Sequence, residues 1–155
     1  MFVSSTAFEN NGTIPLKYTG FGEDVSPELT ITDAPKDTAS FAIVLDDLDV
    51  PFCKSFTHWI IWNIAVTNVI PEGLPCGSVI REPISACQGM AWGKLQYRGP
   101  KQPVFIRNEH RYVFTVYALD SLLDIPEDSR KKNLLEAMRG HILTEASLIG
   151  KYQRD

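Results

Sequence analysis

The sequence predicts a mainly β protein, an antiparallel sheet system with short helices appended at its C-terminal end. Three observations lead there. Runs rich in β-branched and aromatic residues fill the front three-quarters of the 155-residue chain. Helical periodicity appears only after Pro126. Strand and helix signals do not alternate, as they would in a parallel α/β fold.

The elements follow in chain order. Residues 13–19 (TIPLKYT) read as a short strand, with Pro15 pointing to an edge or an irregular start. Residues 28–32 (ELTIT) alternate polar and apolar, the mark of a half-buried strand. Residues 40–46 (SFAIVLD) are apolar on both faces and predict a central strand; residues 57–65 (THWIIWNIA) and 111–120 (RYVFTVYALD) repeat the pattern. After Pro126, Leu134, Leu135 and Met138 form an apolar stripe at helical spacing, and Gly140 is a stop signal. A second short helix is expected over residues 141–152, with Ile142, Leu143, Ala146 and Ile149 on one face. No linker divides the chain, so residues 1–155 are expected to form one domain.

Composition narrows the function classes. Apolar residues make up 44% and charged residues 22%, which suits a folded globular chain rather than a disordered one. The net charge of −4 gives no global basic character, so no nucleic-acid partner is expected. No apolar run approaches the roughly 20 residues of a membrane span. The first residues lack the basic and apolar regions of a signal peptide, and a cytoplasmic location is expected. Cys53, Cys76 and Cys87 are too few and odd in number for a disulfide framework, and three reduced thiols are expected. A Cys76–Cys87 bridge stays open, because spacing alone cannot show that two sulfurs meet.

The candidate chemistry lies at strand ends. Asp46, Asp47 and Asp49 follow the 40–46 strand, while His58 and His110 open the next two long strands. If those strands run antiparallel to the first, the acids and both histidines share one rim of the sheet, a usual place for a binding site. Such residues are also the stuff of solvated turns and half-buried strand starts. Phosphate-loop glycines and a GxSxG elbow are absent. The acidic run with two histidines could hold a metal, but its spacing is not diagnostic, and neither metal nor cofactor is expected.

An ordered set of motifs resembles the phosphatidylethanolamine-binding protein family, also called Raf kinase inhibitor-like, in its compact bacterial and archaeal branch. Asp47-Leu48-Asp49-Val50-Pro51 is similar to the family's D-P-D-x-P, and His58-Trp59 to the HW pair after it. Asn108-Glu109-His110-Arg111-Tyr112 matches G-x-H-R-Y in part. NGTIPLKYT at 11–19, DVSPEL at 24–29, GP at 99–100 and VYALD at 116–120 continue the likeness along nearly the whole chain. The resemblance implies a Greek-key antiparallel β-sandwich with short C-terminal helices. It implies a small anion pocket for phosphate or a phosphorylethanolamine-type head group. Carried over, the pocket uses Asp47, His58, Gly99, Pro100, His110 and Tyr112, with Asp49, Pro51 and Arg111 as supports. The Val50–Pro51 bond is expected to be cis, as the matching bond often is.

In that pocket the histidines and Tyr112 would donate to an anion, a backbone N–H near Gly99 would approach closely, and Asp47 would favour protonated His58. Better anion binding at mildly acid pH follows. Leu48 and Asn108 depart from the motifs, residues 103–110 form a longer connection than usual, and residues 88–93 replace the branch's GxNDFG segment. The long connection places Phe105 and Ile106 near the pocket mouth. A non-enzymatic, regulatory binding protein is expected, because no activated Ser or Cys joins the constellation. An inhibitor of a kinase or protease is the alternative, and a phosphoryl or acyl hydrolase the third reading. Family relatives suggest a homodimer.

Overall fold

The computed structural model describes all 155 residues. Strands β1 (Phe2–Ser4), β2 (Gly12–Thr13), β3 (Leu29–Thr32), β4 (Ser40–Asp47) and β5 (Phe56–Ile64) come first. Short strands β6 (Val69–Ile70), β7 (Val79–Ile80) and β8 (Ala86–Gln88) follow. The chain ends with β9 (His110–Leu119), the helix α1 (Lys131–Met138) and β10 (Ile142–Tyr152).

These strands make two sheets. The large one has the order β2-β10-β9-β4-β5-β8-β7, and the small one β1-β3-β6. Every pairing is antiparallel except β2 with β10. The two-faced apolar pattern of β4 now has its cause. Phe41, Ile43 and Leu45 face the small sheet and join Leu29, Ile31 and Ile70 in the main core. Ala42 and Val44 face the other way and pack with Leu134 and Met138 of α1 in a second core. Period-2 alternation therefore places apolar side chains on both faces of a covered strand. β5 does the same, sending Trp59 and Ile61 to one core and Ile60 and Trp62 to the other.

Two expectations are corrected. The second C-terminal helix is the eleven-residue strand β10, hydrogen-bonded along β9 from Ile142 to Tyr152. Its helical stripe does not form a buried face, for Ile142 and Leu143 are exposed, whereas Leu148 and Gly150 lie buried two apart. The unpaired backbone edge of β9 recruits the segment, and tertiary pairing overrides local periodicity. Gly150 permits the close approach, since a Cβ there would collide with Ile14. The 13–19 strand also stops at Thr13. Pro15, which has no N–H to give a ladder, instead leads a short 3₁₀ turn over Leu16–Tyr18.

Candidate functional site

Three long strands bring the acids and histidines to one rim. β4 is antiparallel to both neighbours, with Asp47 opposite Phe56 of β5 and Tyr112 of β9. The register with β5 shifts near this end. Leu45 faces Trp59 and Asp46 faces Thr57, so His58 is the extra residue of a bulge. His110 begins β9, directly opposite Tyr152 of β10.

A cavity of about 190 Å³ opens at this rim. Its polar lining comes from Asp47, His58, Gln102, His110 and Tyr112, with Lys101 beside them. Val50, Phe56, Trp92, Pro103 and Ile106 supply apolar walls. The volume is below the roughly 300–1,000 Å³ of pockets for drug-sized molecules, so the cavity suits a small ligand or one end of a larger one.

Asp47 organises the floor. One carboxylate oxygen accepts from His110 Nδ1 at 2.7 Å, and the other accepts the Asp49 N–H at 2.9 Å. Both Asp47 and His110 are almost completely buried. Asp49 stands outside the cavity lining. Its carboxylate accepts from the Arg111 N–H at 2.8 Å and from the guanidinium Nε and Nη2, each at 2.9 Å. That paired geometry braces the loop after β4 against β9, and it holds the Asp49 carboxyl below its usual range.

His58 donates from Nδ1 to the Arg98 carbonyl at 2.8 Å. Its ring lies among Phe56, Trp92 and Tyr112, with centroids 5.6, 4.9 and 5.5 Å away. Burial pushes its pKa down, outweighing the contrary pulls of the Arg98 carbonyl and the Asp47 charge. Asp47 pulls toward protonated His58 as expected, but burial overrides it, so the net shift runs opposite to the expected one. Asp47 gives its closest contact to His110, and removing His58 from water costs its cation more than the nearby acid returns. Tyr112 is pushed far up by burial and by Asp47, so its hydroxyl stays protonated.

A pH prediction follows. The unfolded chain gains a proton on His58 below about pH 6.5, whereas the folded site resists it. Stability from this group is therefore present above that value and lost as pH falls. Thermal melts from about pH 7.5 to 5.5 should show a decline of up to about 1.4 kcal/mol per pH unit, reduced in His58→Gln. An equal decline in that variant would exclude His58 as the source.

Gly99, Pro100 and Pro51, also singled out from the sequence, are not among the residues that line the cavity. Gly99 donates its N–H to Asp24 at 2.7 Å, and the Pro100 carbonyl accepts from the Gly20 N–H at 2.8 Å. The Gly99 amide is thus spent inside the protein. The glycine is needed because a Cβ would collide with the Tyr18 carbonyl. Pro51 is exposed, and the Val50–Pro51 bond is trans, the one cis bond being Glu82–Pro83. The turn is made instead at Phe52, in the left-handed region at φ 67°. Of the long connection, Ile106 reaches the cavity lining, while Phe105 stays exposed.

Sequence reasoning missed Gln102, Lys101, Trp92, Phe56 and Val50 as lining residues. Gln102 follows the GP pair closely, but nothing local marks its burial. Trp92 sits in a turn with Gly93, both at positive φ, and the Arg98 guanidinium stacks 3.7 Å from its ring. An aromatic before glycine in a polar loop was the available signal.

Comparison with known proteins settles the family. The family described as phosphatidylethanolamine-binding protein matches residues 4–153. The chain belongs to the phosphatidylethanolamine-binding protein family. Among relatives of this phosphatidylethanolamine-binding protein family member, the UPF0098 protein of Methanothermobacter thermautotrophicus is 42% identical over 156 residues, 99% of each chain. The UPF0098 protein of Archaeoglobus fulgidus is 43% identical over 149 residues. That match takes in 96% of this chain but spans about half, 50%, of the relative's length. A solved phosphatidylethanolamine-binding protein homologue from Chlamydia trachomatis is similar throughout, with TM-score 0.87 and 36% identity over 99% of this chain and 97% of that one. Family membership supports a ligand-binding protein of the phosphatidylethanolamine-binding type. No helix of the chain is long and apolar enough to cross a membrane.

Proposed function

We propose that this protein is a non-enzymatic, regulatory receptor for a small phosphate-bearing ligand, held in the cavity at the β4–β5–β9 rim. One observation carries the reading. Three buried side-chain polar atoms lack a hydrogen-bond partner, namely Gln102 Oε1, His110 Nε2 and Tyr112 Oη. All three belong to residues lining this one cavity. Buried polar atoms are seldom left unpaired, because each forfeits about 1–3 kcal/mol, and a ligand would satisfy them together. The cavity's size and the nearby Lys101 suit a compact anion. None of its lining residues is Ser, Thr or Cys, so a binding role is favoured over a covalent one.

Calorimetric titration with phosphorylethanolamine and with inorganic phosphate tests the reading. Saturable binding is expected, with each ligand recovered unchanged. Tyr112→Phe removes one donor and should weaken binding by about tenfold. No binding of either ligand by the wild type, or turnover of phosphorylethanolamine, would overturn the proposal.

A further inference from the structure

Two fixed hydrogen-bond geometries decide what the cavity offers an anion. His58 Nδ1 is 2.8 Å from the carbonyl of Arg98. A carbonyl only accepts, so Nδ1 carries the hydrogen. In the neutral ring the lone pair is then on Nε2, in a side chain that lines the cavity. Gln102 is fixed in the same way. Its amide nitrogen donates to the carbonyls of Asn108 at 3.0 Å and Tyr152 at 3.3 Å. Its unpartnered atom, Oε1, is therefore an acceptor. Asp47 adds a buried carboxylate to the same lining. A fully ionised oxyanion would set lone pairs against lone pairs at His58 and Gln102. An anion that still carries a hydrogen would not.

We propose that the site selects the protonated form of its anion. A P–OH group of the ligand donates to His58 Nε2 or Gln102 Oε1, while an ionised oxygen accepts from the Tyr112 hydroxyl. The inference rests on the phosphate reading above and specifies the ionisation state that the site takes. No bond is made or broken; one hydrogen is shared between ligand and protein.

The surroundings of His58 hold the device in place. Asp47 faces it from β4, and Tyr112 and His110 line the cavity from β9. Arg98 lies behind it, stacked on Trp92, and Lys101 completes the charged lining. Burial keeps the ring neutral despite Asp47. A phosphomonoester has a second pKa of about 6 and retains a protonated fraction near neutrality. Sulfate, of the same tetrahedral shape, keeps no hydrogen there.

Phosphate against sulfate is therefore the discriminating pair. At about pH 7.5, calorimetry should find inorganic phosphate bound at least about tenfold more tightly than inorganic sulfate. The gap should widen toward about pH 5.5, where more of the phosphate carries an added hydrogen while sulfate still carries none and burial still resists protonation of His58. The amide nitrogen of His58→Gln can stand where Nε2 stood and donate, so this variant should compress the phosphate preference at pH 7.5. If that variant does not fold, the wild-type comparison at the two pH values still decides the matter. Equal affinity for phosphate and sulfate at pH 7.5 would overturn this inference while leaving the anion receptor standing. Absence of binding by either ion would overturn both.

Discussion

Asp47→Ala should lower folding stability by about 3 kcal/mol and remove measurable phosphate binding. The residue is buried and serves two donors at once, His110 Nδ1 at 2.7 Å and the Asp49 N–H at 2.9 Å. Alanine leaves both without their partner, and each orphaned donor costs about 1–3 kcal/mol. The binding loss has a separate cause. His110 is held in its tautomer and orientation by the carboxylate, so its unpartnered Nε2 is placed for a ligand only while Asp47 is there. Asp47→Asn is the control of similar size. Its amide oxygen can keep one of the two bonds, so its stability loss should be smaller, while phosphate binding should still suffer. Urea unfolding and calorimetry on the two variants measure both effects. A stability loss below about 0.5 kcal/mol for Asp47→Ala would show that the buried pair does not hold the rim together.

Trp59→Ala carries the largest expected stability effect, about 3–5 kcal/mol. The indole is 1% exposed, at the centre of the main core. It packs edge-on to Tyr97, with ring centroids 5.5 Å apart, and its N–H donates to Gln88 Oε1 at 2.7 Å. Gln88 is itself fully buried, and its amide nitrogen donates to the carbonyls of Pro75 and Gly77, each at 2.9 Å. Loss of the indole leaves a cavity and also strands the Gln88 oxygen, so the loop around residue 76 loosens along with the core. Trp59→Phe keeps most of the apolar volume and loses the hydrogen bond, and it should cost about 1–3 kcal/mol. Denaturant unfolding of both variants tests the ranking. An alanine variant less than about 1 kcal/mol below wild type would contradict a packed, bonded role for this side chain.

The strands that position the site were readable because their signals are local. β4, β5 and β9 are short runs of β-branched and aromatic residues, and no other element suits such runs when apolar side chains fall on both faces. The placement of Asp47, His58 and His110 on one rim also followed from chain order, given antiparallel neighbours. The helix Lys131–Met138 was readable from its stripe, now packed as Leu134 and Met138 against the large sheet. The motifs around residues 47–51, 58–59 and 108–112 carried the family, since an ordered set of short matches is specific where each alone is not.

The sequence by itself thus determined the β class, the long central strands, the acids and histidines at their ends, and the family. Tertiary structure decided the rest. β10 is a strand because the edge of β9 needs hydrogen-bond partners, and that need lies some thirty residues away from the segment that meets it. Gly99 gives its N–H to Asp24, a partner distant in the chain, so its amide is not available to the cavity. Gln102 becomes part of the floor only through carbonyls of Asn108 and Tyr152. His58 is neutral because the folded chain removes it from water, a cost that no local pattern encodes. Propensity and alternation act over a few residues and can be read from them. Desolvation, edge pairing and the satisfaction of buried polar atoms depend on what arrives from elsewhere, and those forces set the chemistry of the pocket.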